Sequence, residues 1–370
     1  MRSIFLYLIA TLMVISMAIS SFALDCPSDE YVITVTNIYS DLETCDITLH
    51  SSESANDLEL YVVLEHLGTV LDSRSFTIDS ITSDSDVTKA FRWNTDDKSD
   101  GKYTVTSTIS KDGCTISEKT YNFVNGRQTI PRITVDDLVP NSQGFSVMIT
   151  PVEAVLVDIE YMLMDDSDLI YSGSEKKVSV TTVPLEVTED WNILLENNKD
   201  YSARVKVKLY SPSVSYIALT EDFTAKDDVF ISDTYEDDIG ASATIDGISQ
   251  VPFKGSVRFT LSQVDGTDSN ELISVVEKSP VILNGDDETV ETIWDERLKT
   301  GEYELLIEVI GNDGDILDVE EKIIESDYEQ PVNQTSTGNN QETEQSPGFT
   351  YVFAIVFTVI AAIVTRQKQH

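Results

Sequence analysis

The chain has 370 residues, with 25 Lys and Arg against 65 Asp and Glu and a formal net charge of −40. A surface this negative repels phosphate backbones and anionic headgroups, which excludes nucleic acid as a partner. The chain has only 3 Cys and 3 His.

At the N-terminus, Arg2 precedes an apolar run from Ile4 to Ile19 and then Ser21-Phe22-Ala23. Small residues at the first and third of those last positions suit signal peptidase, so residues 1–23 read as a signal peptide cleaved after Ala23. The alternative is an N-terminal anchor helix. Asp25 beside Cys26 is a poor fit to a lipidated cysteine.

The body carries an internal repeat. Trp93, Trp191 and Trp294 lie 98 and 103 residues apart, and each is followed nine or ten residues later by Tyr103, Tyr201 or Tyr303. Three units follow, at 24–128, 129–227 and 228–326. Each opens on a short strand, at Ile33 to Val35, Ile133 to Val135 and Val229 to Ile231, with a second about ten residues on, such as Phe145 to Thr150. A longer strand comes next, at Leu58 to Glu65, Val155 to Met162 and Val257 to Gln263. After the tyrosine, two alternating runs flank Asp112-Gly113 in the first unit and Asp313-Gly314 in the third. An Asp-Gly step between period-2 runs is a strong hairpin signal. With about seven strands per unit and no amphipathic helix, the predicted class is all-β, three β-sandwiches in tandem. Short links at Asn125 to Pro131 and Ala225 to Asp228 predict a stiff rod, about 100 Å long from ordinary strand rises plus loops.

These units resemble the immunoglobulin-like and fibronectin-III-like modules of cell-surface proteins. Gly101-Lys102-Tyr103 and Gly301-Glu302-Tyr303 resemble the tyrosine corner of that fold, in which the hydroxyl ties a turn to upstream backbone. The resemblance implies that Trp93, Trp191 and Trp294 pack in the core. Unit two has Lys199-Asp200 where the others have glycine, so its turn should differ in shape. All three cysteines, Cys26, Cys45 and Cys114, lie in the first unit, a number that permits one disulfide and one free thiol. The resemblance places the domain N-terminus and the turn before the last strand at one pole, and so implies pairing of Cys26 with Cys114.

Catalytic signatures are missing: neither His-Glu-x-x-His nor Gly-x-Ser-x-Gly occurs, nor a phosphate-cradling glycine loop. His50 and His66 fall at the ends of predicted strands, as solvated histidines. No catalytic, cofactor-binding or metal residue is therefore assigned, and the expectation is a protein that is not an enzyme. Calcium is the one cofactor its oxygen-rich turns would suit, at Asp96 to Gly101, Asp233 to Asp238 and Asp313 to Asp315, without any specific ligand spacing.

Beyond the body, residues 327–348 have the composition of a flexible polar stalk, with one N-glycosylation sequon at Asn333-Gln334-Thr335. Pro347-Gly348-Phe349 then leads into an apolar segment, 349–365, and a basic end, 366–370, containing Arg366 and Lys368. Basic residues on that side alone predict a cytoplasmic end and an external body. This tail resembles the PGF-type C-terminal sorting signal of archaeal surface proteins. That resemblance implies recognition by an archaeosortase-type processing enzyme, removal of the tail and attachment to a membrane lipid. A plain single-span anchor is the alternative.

The reading is a non-enzymatic, membrane-anchored cell-surface protein serving adhesion, spacing or an envelope layer, with other envelope proteins or glycans as partners. The alternatives are a receptor-like ligand-binding ectodomain and an accessory subunit holding a separate enzyme at the surface.

Overall fold

The computed structural model describes residues 33–329, apart from 97–98, 127–131, 211–213 and 266–267. The described residues form strands, bridges and turns, with no helix. The first seven strands are β1 (Ile33–Ser40), β2 (Thr44–Ser51), β3 (Ala55–His66), β4 (Thr69–Ile81), β5 (Ser85–Arg92), β6 (Gly101–Lys111) and β7 (Cys114–Asn125). Next come β8 (Ile133–Pro140), β9 (Gly144–Pro151), β10 (Val155–Asp165), β11 (Asp168–Val180), β12 (Leu185–Asp190), β13 (Lys199–Leu209) and β14 (Ser215–Ala225). The last seven are β15 (Val229–Glu236), β16 (Gly240–Gly247), β17 (Ser256–Asp265), β18 (Asp268–Lys278), β19 (Asp287–Ile293), β20 (Gly301–Ile310) and β21 (Ile316–Ser326).

Each group of seven divides in the same way. One layer is three-stranded, β1-β2-β5, β8-β9-β12 or β15-β16-β19, and the other is β4-β3-β6-β7, β11-β10-β13-β14 or β18-β17-β20-β21. Alternation of apolar and polar residues drives this, because successive side chains of a strand face opposite ways. In β6 the inward positions are Tyr103, Val105, Ser107 and Ile109, all buried, and the outward threonines are partly exposed. Three separate apolar clusters result, one per sandwich, each containing its own Trp and Tyr. The hairpin between β6 and β7 turns on Asp112 and Gly113 at φ 51° and 79°, the paired left-handed conformations that a two-residue hairpin turn requires.

Comparing the repeats exposes a flaw in the first core. Four residues beyond the tyrosine stand Val205 in the second unit and Ile307 in the third, but Ser107 in the first. Ser107 is fully buried, and its hydroxyl has no hydrogen-bond partner among the described residues. An unsatisfied buried hydroxyl costs about 1–3 kcal/mol. Ser107→Val is therefore expected to raise the unfolding free energy of the first sandwich, measured by urea titration, by an amount in that range.

The sandwiches are joined in two different ways. Between the second and third the contacts come from turns: the Leu195 N–H donates to the Gln250 carbonyl at 3.0 Å, and the Gln250 N–H to the Ser142 carbonyl at 3.0 Å. The side-chain amides of Asn197 and Asn198 both reach Asp313, at 2.8 and 2.7 Å. This is an end-on junction, as short links suggest. The first and second sandwiches depart from the expected rod. Their layers β1-β2-β5 and β11-β10-β13-β14 are linked by a single pairing, Lys89 with Asp168, into one seven-stranded sheet. That sheet folds back on itself like a closing book. Asp46 of β2 meets Arg204 of β13, and the Tyr39 ring of β1 lies 5.7 Å from that of Tyr216 in β14. A short link limits how far two modules separate and leaves open which faces they share.

Candidate functional site

The residues singled out by the repeat are spent on structure. Trp191 is fully buried, Trp93 and Trp294 nearly so. The indole N–H of Trp93 donates to Ser40 Oγ at 2.9 Å, that of Trp191 to the Asn141 carbonyl at 3.0 Å and that of Trp294 to the Asp237 carbonyl at 3.3 Å. The Tyr103 and Tyr303 hydroxyls donate to the carbonyls four residues earlier, Ser99 at 2.7 Å and Lys299 at 3.0 Å. Tyr201 is built differently, its hydroxyl oxygen accepting from the Glu196 N–H at 3.2 Å.

Cys114 is disulfide-bonded. Cys45 is a free thiol at the centre of the first core, and burial pushes its pKa up. Cys26, Ala23, Asn333, Pro347, Gly348 and Phe349 lie outside the described residues, as do the two apolar terminal segments. No helix among the described residues is long and apolar enough to cross a membrane.

His50 is within β2 and pairs with Asp86 at 2.8 Å; His66 ends β3 and stacks on Tyr103 at 4.3 Å. Among the described residues, no three His, Cys, Asp or Glu side chains are grouped to hold a metal. The acidic turns have other occupations. Asp237 accepts the Ile239 and Gly240 N–H groups at 2.8 and 2.9 Å, and Asp238 pairs with Arg297 at 2.7 Å. Asp227, buried between the second and third sandwiches, accepts the Asn312 N–H at 2.8 Å, and burial raises its pKa.

The strongest concentration of buried charge lies between the first two sandwiches. Asp46 accepts from Arg204 Nη2 at 2.8 Å and Nε at 3.2 Å, and from Lys206 Nζ at 2.9 Å. The side chains of Asp46 and Arg204 are 1% exposed and that of Lys206 3%. Lys206 also meets Glu160 at 3.2 Å. Arg204 Nη1 donates to Thr220 Oγ1 at 2.9 Å, and its guanidinium sits 5.6 Å from the Tyr39 ring centroid. Burial, then the neighbouring Asp41, pushes the Tyr39 hydroxyl far above its ordinary pKa, so it stays neutral. Ala90, Met162 and Met164 form a small apolar cluster in the same junction, with Leu169 packed against it.

Counting from the repeat tyrosines, the positions of Arg204 and Lys206 hold Thr106 and Thr108 in the first unit and Leu306 and Glu308 in the third. The face that receives the first sandwich is thus particular to the second. Its signal in the sequence was the alternation Arg204, Lys206, Lys208 in an otherwise acidic chain. Its partner Asp46, 158 residues from Arg204, carried none.

Beside this junction opens a cleft of about 520 Å³, lined by Asn37 from β1 and by residues of β10, β11, β13 and β14, among them Asp158, Glu160, Lys176, Lys206, Lys208 and Tyr216. Asp158 is held ionised, below the usual carboxylate range, by hydrogen bonds from the Tyr210 hydroxyl and the Lys177 N–H. The arrangement offers cations, hydrogen-bond acceptors and one aromatic ring.

No family model and no curated protein matches the chain. Among solved structures, a tetra-tandem repeat from the extending region of a large adhesion protein is 11% identical over 80% of this chain and 74% of that one, with a TM-score of 0.24. A DUF4785 family protein from Legionella pneumophila is 11% identical over 80% of this chain and 84% of its own, with a TM-score of 0.26. For the α2-macroglobulin of E. coli the values are 10% identity, 86% and 24% coverage and a TM-score of 0.21. This chain therefore spans about a quarter of that macroglobulin.

Proposed function

We propose that the protein is a non-enzymatic cell-surface component, carried on a polar stalk and a C-terminal membrane attachment, that holds a rigid β-sandwich body away from the membrane. The observation that carries this reading is the use of every repeat aromatic as sandwich core, with the first two sandwiches locked together by fully buried charges. Such a body suits adhesion, spacing or an envelope layer. A disulfide at Cys114 supports an oxidising, external compartment. Immunoglobulin-like modules are the finer description of the sandwiches that the tyrosine corners support. Attachment through Pro347-Gly348-Phe349 and segment 349–365, with archaeosortase-type processing and an archaeal source, rests on the sequence of the tail.

Intact-mass measurement of the protein extracted from cell envelopes tests this. The expected mass lacks residues 1–23 and those after the Pro-Gly-Phe motif and carries an added lipid. A mass retaining everything through His370 overturns the sorting assignment. A receptor-like ectodomain is the second reading, favoured by the cleft beside the first junction.

A further inference from the structure

Alternate residues of a strand share a face, so Arg204, Lys206 and Lys208 make one basic line along the outside of β13. Asp46 and Glu160 satisfy the first two, beneath the first sandwich. Lys208 continues the line into the cleft, its ammonium 4.9 Å from the Tyr210 ring centroid. Lys176 enters the same cleft from β11. Neither Lys176 nor Lys208 is in direct ion-pair contact among the described residues, but both attract the Asp158 carboxylate, Lys208 from the position paired with it across β10 and β13.

The backbone beside Lys176 is irregular. Val157 pairs with Val178 but Ile159 with Glu175, so two residues, Lys176 and Lys177, stand opposite Asp158 alone. Lys177 takes the left-handed conformation, φ 58°, and its N–H donates to Asp158 Oδ1 at 2.8 Å. A bulge of this kind re-aims the side chains beside it and recurs next to functional sites. The matching hairpins of the other two sandwiches keep their register at this level.

The lining chemistry narrows the ligand. Lys176, Lys206 and Lys208 stand against Asp158 and Glu160 in the lining, an excess of one positive charge that suits a monovalent anionic group, while the two carboxylates repel a compact multivalent anion such as phosphate and accept hydroxyl donors readily. Ser172, Ser174 and Asn37 add polar groups for hydroxyls, and Tyr216 supplies a ring as wall. A volume of 520 Å³ falls inside the range of about 300–1,000 Å³ usual for small-molecule sites.

We propose that this cleft binds an acidic saccharide, with the sugar carboxylate on Lys176 and Lys208 and the hydroxyls on Asp158, Asn37 and the serines. This does not depend on membrane attachment, and the titration below fails or succeeds independently of the mass measurement above. The test is calorimetric titration of the full-length protein with digalacturonate, with the uncharged disaccharide galactobiose and with inorganic phosphate. Digalacturonate is expected to bind, more tightly than galactobiose by at least tenfold, and phosphate not to compete. Lys176→Ala with Lys208→Ala, both outside the apolar cores, should weaken digalacturonate at least tenfold with unchanged thermal melting, while Lys322→Ala in the third sandwich has no effect. Equal binding of the two disaccharides, binding of phosphate alone, no binding at all, or a double variant that melts normally and keeps its affinity would each overturn the proposal.

Discussion

Arg204→Ala is expected to cost about 3–5 kcal/mol and to release the first sandwich from the second while leaving both folded. Asp46 would remain at 1% exposure with Lys206 as its only charged partner. Both guanidinium bonds to Asp46 are lost, and the truncated side chain also opens the site toward a neighbouring pocket lined by Met164, Arg204 and Thr220, so the junction loses packing as well as charge. The cheaper response is for the folded sheet to open at its single Lys89–Asp168 pairing, since each sandwich keeps a core of its own. Small-angle scattering should therefore report a larger radius of gyration for the variant. Urea titration should report the loss of a junction rather than of a domain. Arg204→Lys is expected to recover only part of the effect, because a single ammonium cannot reproduce the two-pronged contact. Replacing all three groups together, Asp46→Leu with Arg204→Met and Lys206→Met, should restore the closed form, as apolar substitutes for buried ion pairs commonly do. High salt should imitate none of this, since buried pairs are weakly screened. An unchanged radius and stability in Arg204→Ala would mean that the charges do not hold the junction.

The parts of the fold legible in the sequence are those encoded locally. Period-2 runs around Tyr103, Tyr201 and Tyr303 become β6, β13 and β20, and the Asp112-Gly113 step becomes the left-handed pair that a tight hairpin needs. The replacement of glycine by Lys199-Asp200 foretold an altered turn, and the Tyr201 hydroxyl does accept from backbone where its counterparts donate to it. Docking of the first sandwich on the second was not legible. A single aspartate among 65 acidic residues carries no information until the fold brings it to an arginine far along the chain. What could have been noticed is the row Arg204, Lys206, Lys208, because three cations on alternate residues, in a chain so rich in carboxylates, imply an acidic face or ligand opposite. The cleft was invisible for the same reason: its residues come from five strands of two sandwiches.

Trp191→Ala should be the most damaging of the three tryptophan substitutions, although the repeat makes the three residues equivalent. Removing a buried tryptophan typically costs about 3–5 kcal/mol in its own domain. Trp191 is fully buried against Phe145 at 5.2 Å, Tyr171 at 6.2 Å and Phe223 at 6.5 Å, whereas Trp294 retains 4% exposure and Trp93 retains 7%. Position in the chain adds to this. The second sandwich holds the first on its outer sheet through Arg204 and Lys206, and the third at its pole through Leu195, Asn197 and Asn198. Losing its core undoes both junctions at once, whereas Trp93→Ala and Trp294→Ala each remove a terminal unit and one junction. Calorimetric melting should therefore show Trp191→Ala lowering every transition. Trp294→Ala should lower one transition and leave the docked first pair melting near its original temperature. Limited proteolysis separates the cases further: a protected fragment of the first two sandwiches should survive in Trp294→Ala and be absent in Trp191→Ala. If the three variants lose one transition each and leave the others unmoved, the sandwiches fold as independent beads, and the buried charge cluster contributes no cooperativity between them.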